Sequence, residues 1–311
     1  MRIRQWILGA GVVTCGLSLS APPTALAQTP PRAFVALTID DLPDHGPIPP
    51  GSSRTEIATR IITALQEAGS PPVYGFINAK QLQQKPEDAA VLKLWRAAGF
   101  PLGNHAFSHM DLHVNTADAF VQDVAANEPP LRTLMGDADW HWFRYPYLRE
   151  GDTPDKYKAV RTFLVQQRYR VAQVTLSFDD YAYNEPYARC LAKNDAGGIA
   201  WLEKSYLARA DDSLTKGQAA ARTIFGRDIK HIMLLHIGGF ETIMLPRLLD
   251  LLKTRGFTLT TLEDASSDEA YRTEPGGQNW NGTLLEQLLN ARGAPRPQAD
   301  SFFQDIAAVC R

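Results

Sequence analysis

His105 and His109, in the stretch Asn104-His105-Ala106-Phe107-Ser108-His109, stand four residues apart. Imidazoles at that spacing can turn toward one point where the backbone is helical or tightly turned. A divalent metal needs such convergence and commonly takes a carboxylate as its third protein ligand. Upstream, the apolar run Val35-Ala36-Leu37-Thr38-Ile39 ends in two acids, Asp40 and Asp41. With Asp41 as third ligand, coordination positions stay open on the metal, as catalysis requires. Asp40 points away from its neighbour in an extended chain, which makes it a candidate general base. His236 ends the apolar run Ile232-Met233-Leu234-Leu235 and is a candidate acid for a departing amine or alcohol. Arg144 would pair with Asp40 and keep it charged. Asp180 would orient His236 or offset Arg144.

Each of these residues also has a bland reading. A His-x-x-x-His pair arises by accident on surfaces, and paired acids at a strand end form a solvated cap. A lone histidine after an apolar run is often a satisfied core residue, and an arginine beside Trp142 can snorkel to solvent. What separates the two readings is where the groups fall among the elements that must carry them.

Residues 32–41 read as a buried strand, and 73–77, 100–103, 140–147, 170–178, 231–237 and 257–262 as further strands. Helical spacing of apolar residues appears between them, over 55–68, 86–98, 118–126, 131–135, 153–167, 186–192, 199–209, 219–225 and 242–254. Strands alternating with helices imply parallel strands with crossover helices. Seven such units over ~235 residues fit a TIM-like (β/α) barrel of about seven parallel strands better than an open sheet. In such barrels the active groups sit where strands end. Asp40 and Asp41, His105 and His109, Arg144 to Tyr147, Asp179 and Asp180, and His236 all lie at such ends. Five mouths with coherent chemistry are far less probable by accident than one.

The chain has 311 residues, 44% hydrophobic and 21% charged, enough apolar content for a sizeable core. Arg2 and Arg4, an apolar stretch over 7–19 and Ala25-Leu26-Ala27 have the pattern of a secretory signal peptide cleaved after Ala27. An uncleaved anchor, or lipidation at Cys15, is the alternative; no other segment is long and apolar enough to span a bilayer. Export places Cys190 and Cys310 in an oxidising compartment, where they are expected to pair, two buried thiols being the alternative. The formal charge of −2 becomes −4 once Arg2 and Arg4 leave with the leader, which argues against nucleic-acid binding. The sequence sets no oligomeric state.

Taken together, five blocks resemble the polysaccharide deacetylases of carbohydrate esterase family 4. Thr38-Ile39-Asp40-Asp41 resembles the family's Thr-Phe-Asp-Asp block, and His105 to His109 its His-Ser/Thr-x-x-His block. Arg144-Tyr145-Pro146-Tyr147 resembles Arg-x-Pro-Tyr, Asp180-Tyr181 stands where the family has Asp-Trp, and Leu234-Leu235-His236 resembles Leu-Leu-His. The resemblance runs from Ala33 to about Ala265. It implies a distorted (β/α) barrel with Asp41, His105 and His109 as metal ligands. It further implies Asp40 as base, Arg144 orienting it, the Tyr147 backbone N–H facing an oxyanion, and Asp180 tuning the acid His236. The ion would be Zn²⁺, with Co²⁺, Ni²⁺ or Mn²⁺ suited to the same donors. The substrate would be an N-acetylated saccharide, and the enzyme would be periplasmic or secreted.

Four positions depart from the family pattern: Leu42 for Gly, Ala106 for Ser/Thr, Ser177 for an earlier Asp, with Asp179 as a substitute, and Tyr181 for Trp. They bear on substrate identity more than on activity. A hydrolase of small amides or esters, its site narrowed by the Pro-rich loop 43–51, and a non-catalytic saccharide-binding protein are the rivals. Trp140, Trp142 and Tyr181 either stack sugars or pack the interior. The expected organisation is a leader (1–27), a barrel (28–265) and a C-terminal extension packed on it (266–311).

Overall fold

The run of apolar residues at Ala33–Leu42 forms a ten-residue strand, β1, buried along nearly its whole length. A strand covered on both faces reads as a continuous hydrophobic run rather than an alternation, as parallel sheets require. The computed structural model describes residues 9–11, 33–276, 280–294 and 301–311. The chain divides into residues 1–31 and 32–311. In the first unit, residues 9–11 carry no regular element, and the rest of the expected leader lies outside the described residues.

In the second unit the strands after β1 are β2 (Tyr74–Ile77), β3 (Leu102–Asn104), β4 (Trp142–Phe143), β5 (Arg149–Gly151), β6 (Arg170–Val171), β7 (His231–His236), β8 (Phe257–Thr260) and β9 (Trp280–Asn281). Seven of them form one parallel sheet in the order β6-β4-β3-β2-β1-β7, with β8 also on β1. β1 meets β7 over Val35 to Asp40, β8 over Ala33 to Ala36, and β2 over Thr38 to Leu42. A strand has two edges, so β8 and β2 share the edge that β7 does not take. The sheet curls until the segment after β6 returns to β7: Leu176 bridges Met233, and the Leu234 N–H donates to the Leu176 carbonyl at 3.0 Å. The expected distorted (β/α) barrel therefore forms, closed by a bridge rather than a full ladder.

Two apolar layers follow from the alternation along β1. Val35, Leu37 and Ile39 join the large core beneath the helices, while Ala36 joins Phe76, Trp142, Ala172 and Ile232. Helix Arg54–Glu67 starts where Ser53 Oγ accepts the Glu56 N–H at 3.1 Å, and buries Ile57, Ile61 and Leu65. Trp140 and Trp142 are core residues, 6% and 3% exposed, so of the three aromatics weighed for sugar stacking they fall to packing.

Two local expectations change. The strand at Trp142–Phe143 is two residues long, because Pro146 and the positive φ of Tyr147 and Leu148 turn the chain early, and the strand at Arg170–Val171 is also two residues long. Helices expected at 199–209 and 219–225 are one helix, Ala196–Phe225. Its buried residues Leu202, Tyr206, Ala210, Leu214, Gly217 and Ala221 run in an unbroken stripe, so the polar Asp211-Asp212-Ser213 stretch lies off that stripe instead of breaking the helix. At Gly217 any Cβ would collide with Leu176, so the glycine lets the helix lie against the segment that closes the barrel.

The last part of the chain is tied back by three devices. β9 pairs antiparallel with β5, helix Phe302–Ala308 buries Phe302 and Ile306, and Cys190 and Cys310 form a disulfide. No helix among the described residues is long and apolar enough to cross a membrane.

Candidate active site

An open cavity of about 680 Å³ lies at the carboxyl ends of the barrel strands, and Asp40, Asp41, His105, His109 and His236 all line it. Strand alternation alone would send Asp40 into the barrel and Asp41 outward. Asp41 instead takes φ +66°. Both carboxylates consequently meet one imidazole: His105 Nε2 lies 3.6 Å from Asp40 Oδ2 and 3.4 Å from Asp41 Oδ1. The expectation that the two acids diverge is corrected here, and the cause is the left-handed residue at the strand end.

Asp40 is 1% exposed and is held by Arg144, whose Nη1 lies 3.2 Å from each carboxylate oxygen. Arg144 is itself fixed from Nε to the Ala172 carbonyl at 2.7 Å and from Nη2 to Thr38 Oγ1 at 3.0 Å. Burial lowers the guanidinium pKa and Asp40 opposes that drop. Arginine stays cationic throughout, so Asp40 faces a permanent charge.

The ligand tautomer of His105 follows from its partner. Its Nδ1 lies 2.8 Å from the Arg144 carbonyl, which only accepts, so Nδ1 carries a proton and, in the neutral ring that ligation requires, Nε2 carries the lone pair. That lone pair faces Asp41 Oδ1, an acceptor facing an acceptor. His109 Nε2 lies 3.4 Å from the same oxygen. Asp41 Oδ1 is buried and has no hydrogen-bond partner. Asp41, His105 and His109 each offer one ligand atom, all within 4.8 Å of one another. Such a donor set fits a divalent cation. Burial alone would raise the Asp41 pKa, but the surrounding imidazoles hold it well below the usual carboxylate range. Burial pushes His109 down to about 4 against the pull of Asp41, so it is neutral near pH 7, as ligation requires.

The histidine loop is braced despite Ala106. Asn78 Nδ2 donates to the carbonyls of His105 and Ala106 at 2.6 and 2.9 Å, and Asn104 Oδ1 accepts the Ala106 N–H at 2.9 Å. A neighbouring strand end thus supplies the brace that a Ser or Thr side chain would give.

On the other side, His236 Nδ1 lies 2.9 Å from Asp180 Oδ1, and the His236 backbone N–H donates to Asp180 Oδ2 at 2.7 Å. Burial would lower the His236 pKa; Asp180, with lesser help from Asp41 and Asp40, raises it to about 9. Asp180 is 3% exposed and sits behind the cavity wall. Asp179 accepts a hydrogen bond from Arg209 Nη2 at 3.1 Å. The mouth is flanked by exposed Tyr147 and Tyr181; the Tyr147 ring lies 4.4 Å from His109, and its backbone takes φ +59°.

Sequence reasoning missed His45 and Asn281, which also line the cavity. His45 Nε2 lies 3.8 Å from Asp41 Oδ2. Its signal was the polar Asp44-His45-Gly46 stretch immediately after the acid pair. Asn281 had no local signal, since only the pairing of β9 with β5 brings it to the rim.

Residues 27–162 match the family model described as Polysaccharide deacetylase, so the resemblance drawn from the motifs holds. The match covers the first three blocks and stops short of Asp180 and His236. No curated protein matches the chain. Among solved structures, the chain is similar to the chitin deacetylase of the fungal pathogen Colletotrichum lindemuthianum: 20% identity, 75% of this chain, 87% of that one, TM-score 0.51. A peptidoglycan N-acetylglucosamine deacetylase is 19% identical over 76% of this chain and 88% of that one, TM-score 0.50. A mutant, with restored enzymatic activity, of a pseudoenzyme of the same esterase family from Bacillus anthracis is 17% identical over 76% and 68%, TM-score 0.51. At these identities the likeness speaks for the fold alone.

Proposed function

We propose that this chain is a metal-dependent hydrolase that removes N-acetyl groups from an amino-sugar polymer or oligomer. One observation carries the reading: a three-donor cluster, a carboxylate clamped by arginine and a histidine clamped by aspartate all converge on one open cavity. Asp41, His105 and His109 would hold the ion. When bound there, a divalent cation supplies Lewis-acid polarisation of a carbonyl and makes a water more acidic. Asp40 accepts the proton that the attacking water loses, held in place by Arg144. The Tyr147 backbone N–H donates to the oxyanion, a contact that stabilises developing charge. His236, protonated through Asp180, gives its proton to the departing nitrogen as the carbon–nitrogen bond breaks. Water and amide become acetate and a free amine.

The leader-like segment at 1–27 and the Cys190–Cys310 disulfide support an exported enzyme, periplasmic or secreted. The test is acetate release from N-acetylglucosamine oligomers by the mature protein, before and after chelation. Turnover should vanish with chelator and return with Zn²⁺, Co²⁺, Ni²⁺ or Mn²⁺. Full turnover in the metal-depleted protein would end the reading. The second reading, a hydrolase of small amides or esters, has support in the loop after β1, whose Asp44, His45 and Gly46 narrow one side of the cavity. It wins if small amides are cleaved and oligomers are not.

A further inference from the structure

His45 lines the cavity yet belongs neither to the three-donor cluster nor to the acid–base pair. Its ring proton can be located by elimination. The Phe240 backbone N–H, which can only donate, meets Asn184 at 3.0 Å, so that atom is the side-chain carbonyl oxygen and the other is the NH₂ group. The NH₂ group lies 3.3 Å from His45 Nδ1. It too can only donate, so Nδ1 holds a lone pair and the proton sits on Nε2. His105, whose Nδ1 faces a carbonyl, has the opposite tautomer. A nitrogen that carries its proton is not a metal ligand, and His45 is a donor where His105 is a ligand.

The surroundings hold this arrangement in place. Arg54, 8% exposed, donates to the carbonyls of His45 and Gly46 at 3.4 and 2.6 Å and pairs with Asp44. Asn184 is 3% exposed and confined by glycines: a Cβ at Gly46 would come within 2.9 Å of its Cβ, and one at Gly238 would collide with its amide. The His45 ring stands 5.5 Å from that of His236 and 5.9 Å from that of Tyr181. It therefore stands between Asp41 and His236, the group assigned above to the departing amine, with its Nε2 3.8 Å from Asp41 Oδ2.

We propose that His45 is a substrate-positioning residue whose Nε2–H donates to a sugar oxygen beside the amide being cleaved, with Asn184 setting the tautomer. The recipient rests on the deacetylase reading above; the tautomer does not. A contact made equally in the bound substrate and the transition state changes KM and leaves kcat alone. Loss of one neutral hydrogen bond corresponds to a factor of about 3 to 10.

Three readouts on the full-length mature protein test it. In the metal-free protein, histidine-ring ¹H–¹⁵N correlations should show His45 protonated at Nε2, and Asn184→Asp should move the proton to Nδ1. His45→Ala should bind one equivalent of Zn²⁺ as the wild type does. On N-acetylglucosamine oligomers His45→Ala should raise KM about 3- to 10-fold with kcat within about twofold. His45→Gln, whose amide nitrogen can reach about where Nε2 sits, should recover most of the loss. A wild-type proton on Nδ1, loss of zinc in His45→Ala, or unchanged KM in an active His45→Ala would each overturn the proposal. A wild type that releases no acetate overturns the deacetylase reading and the sugar as recipient, while the tautomer and zinc measurements still decide donor against ligand.

Discussion

Asp40–Arg144 and Asp180–His236 are the same object built twice, a buried carboxylate against a cation, set on opposite sides of one cavity. The difference lies in the cation. Arginine does not titrate in a protein, so the pair with Arg144 leaves the carboxylate as the group free to take a proton. Histidine does titrate, so the pair with Asp180 leaves the imidazole as the group able to give one. Burial in both places suppresses solvent and strengthens the pairing. The identity of one partner thus decides whether a buried ion pair serves as a base or as an acid.

Loss of either active partner should have the largest effect. Asp40→Asn and His236→Ala should each lower kcat on the order of 10²-fold or more, with zinc content unchanged. Asp40→Asn with full turnover would remove Asp40 from the role of base. His105→Ala, by contrast, should lose the metal itself.

The passive partners should separate by pH. His236 acts as the protonated form with a pKa near 9, so activity should hold below that pH and fall about tenfold per unit above it. Asp180→Asn removes the charge that raises the pKa while burial, which lowers it, persists. The basic limb should then move down by more than a unit, and the deficit against wild type should be larger at pH 8 than at pH 6. Arg144→Lys keeps a cation but loses the paired contact with Asp40, so kcat should drop by about tenfold with the basic limb in place. A shifted limb in Arg144→Lys and a fixed one in Asp180→Asn would reverse the assignment of the two arms.

Away from the arms the effects shrink. Cys190→Ser should leave kcat intact and lower stability by about 2–4 kcal/mol, read as a lower Tm, since the bond closes a long loop. Asn281→Ala should raise KM about threefold or less, as a rim contact would, with kcat unchanged.

Apolar patterning was enough to place β1, β7 and the helices Arg54–Glu67 and Glu241–Thr254, because the strands are continuous apolar runs buried on both faces and each helix buries a face that its own periodicity declares. It divided Ala196–Phe225 into helices over 199–209 and 219–225, although the buried residues form one continuous stripe. Trp142 reads equally as a wall of the site or as core, and the choice falls to the guanidinium of Arg170, 4.2 Å from its ring, and to the apolar barrel interior it joins.

By itself the sequence determined which groups stand at strand ends, in what order, and that two histidines four apart and an acid pair were available for one ion. Those are properties of residue type and spacing, which act locally. It took the packed barrel to turn both Asp40 and Asp41 toward His105, to bring His45 beside them, and to carry Asn281 to the rim. Asp41, His109, Tyr147, Leu148 and Asp179 all line the cavity and take positive φ. Residues other than glycine enter that region uncommonly and need the surrounding packing to hold them there, so local preference announces it weakly. The direction of a side chain at such a point belongs to the packed barrel, and so does the chemistry that depends on it.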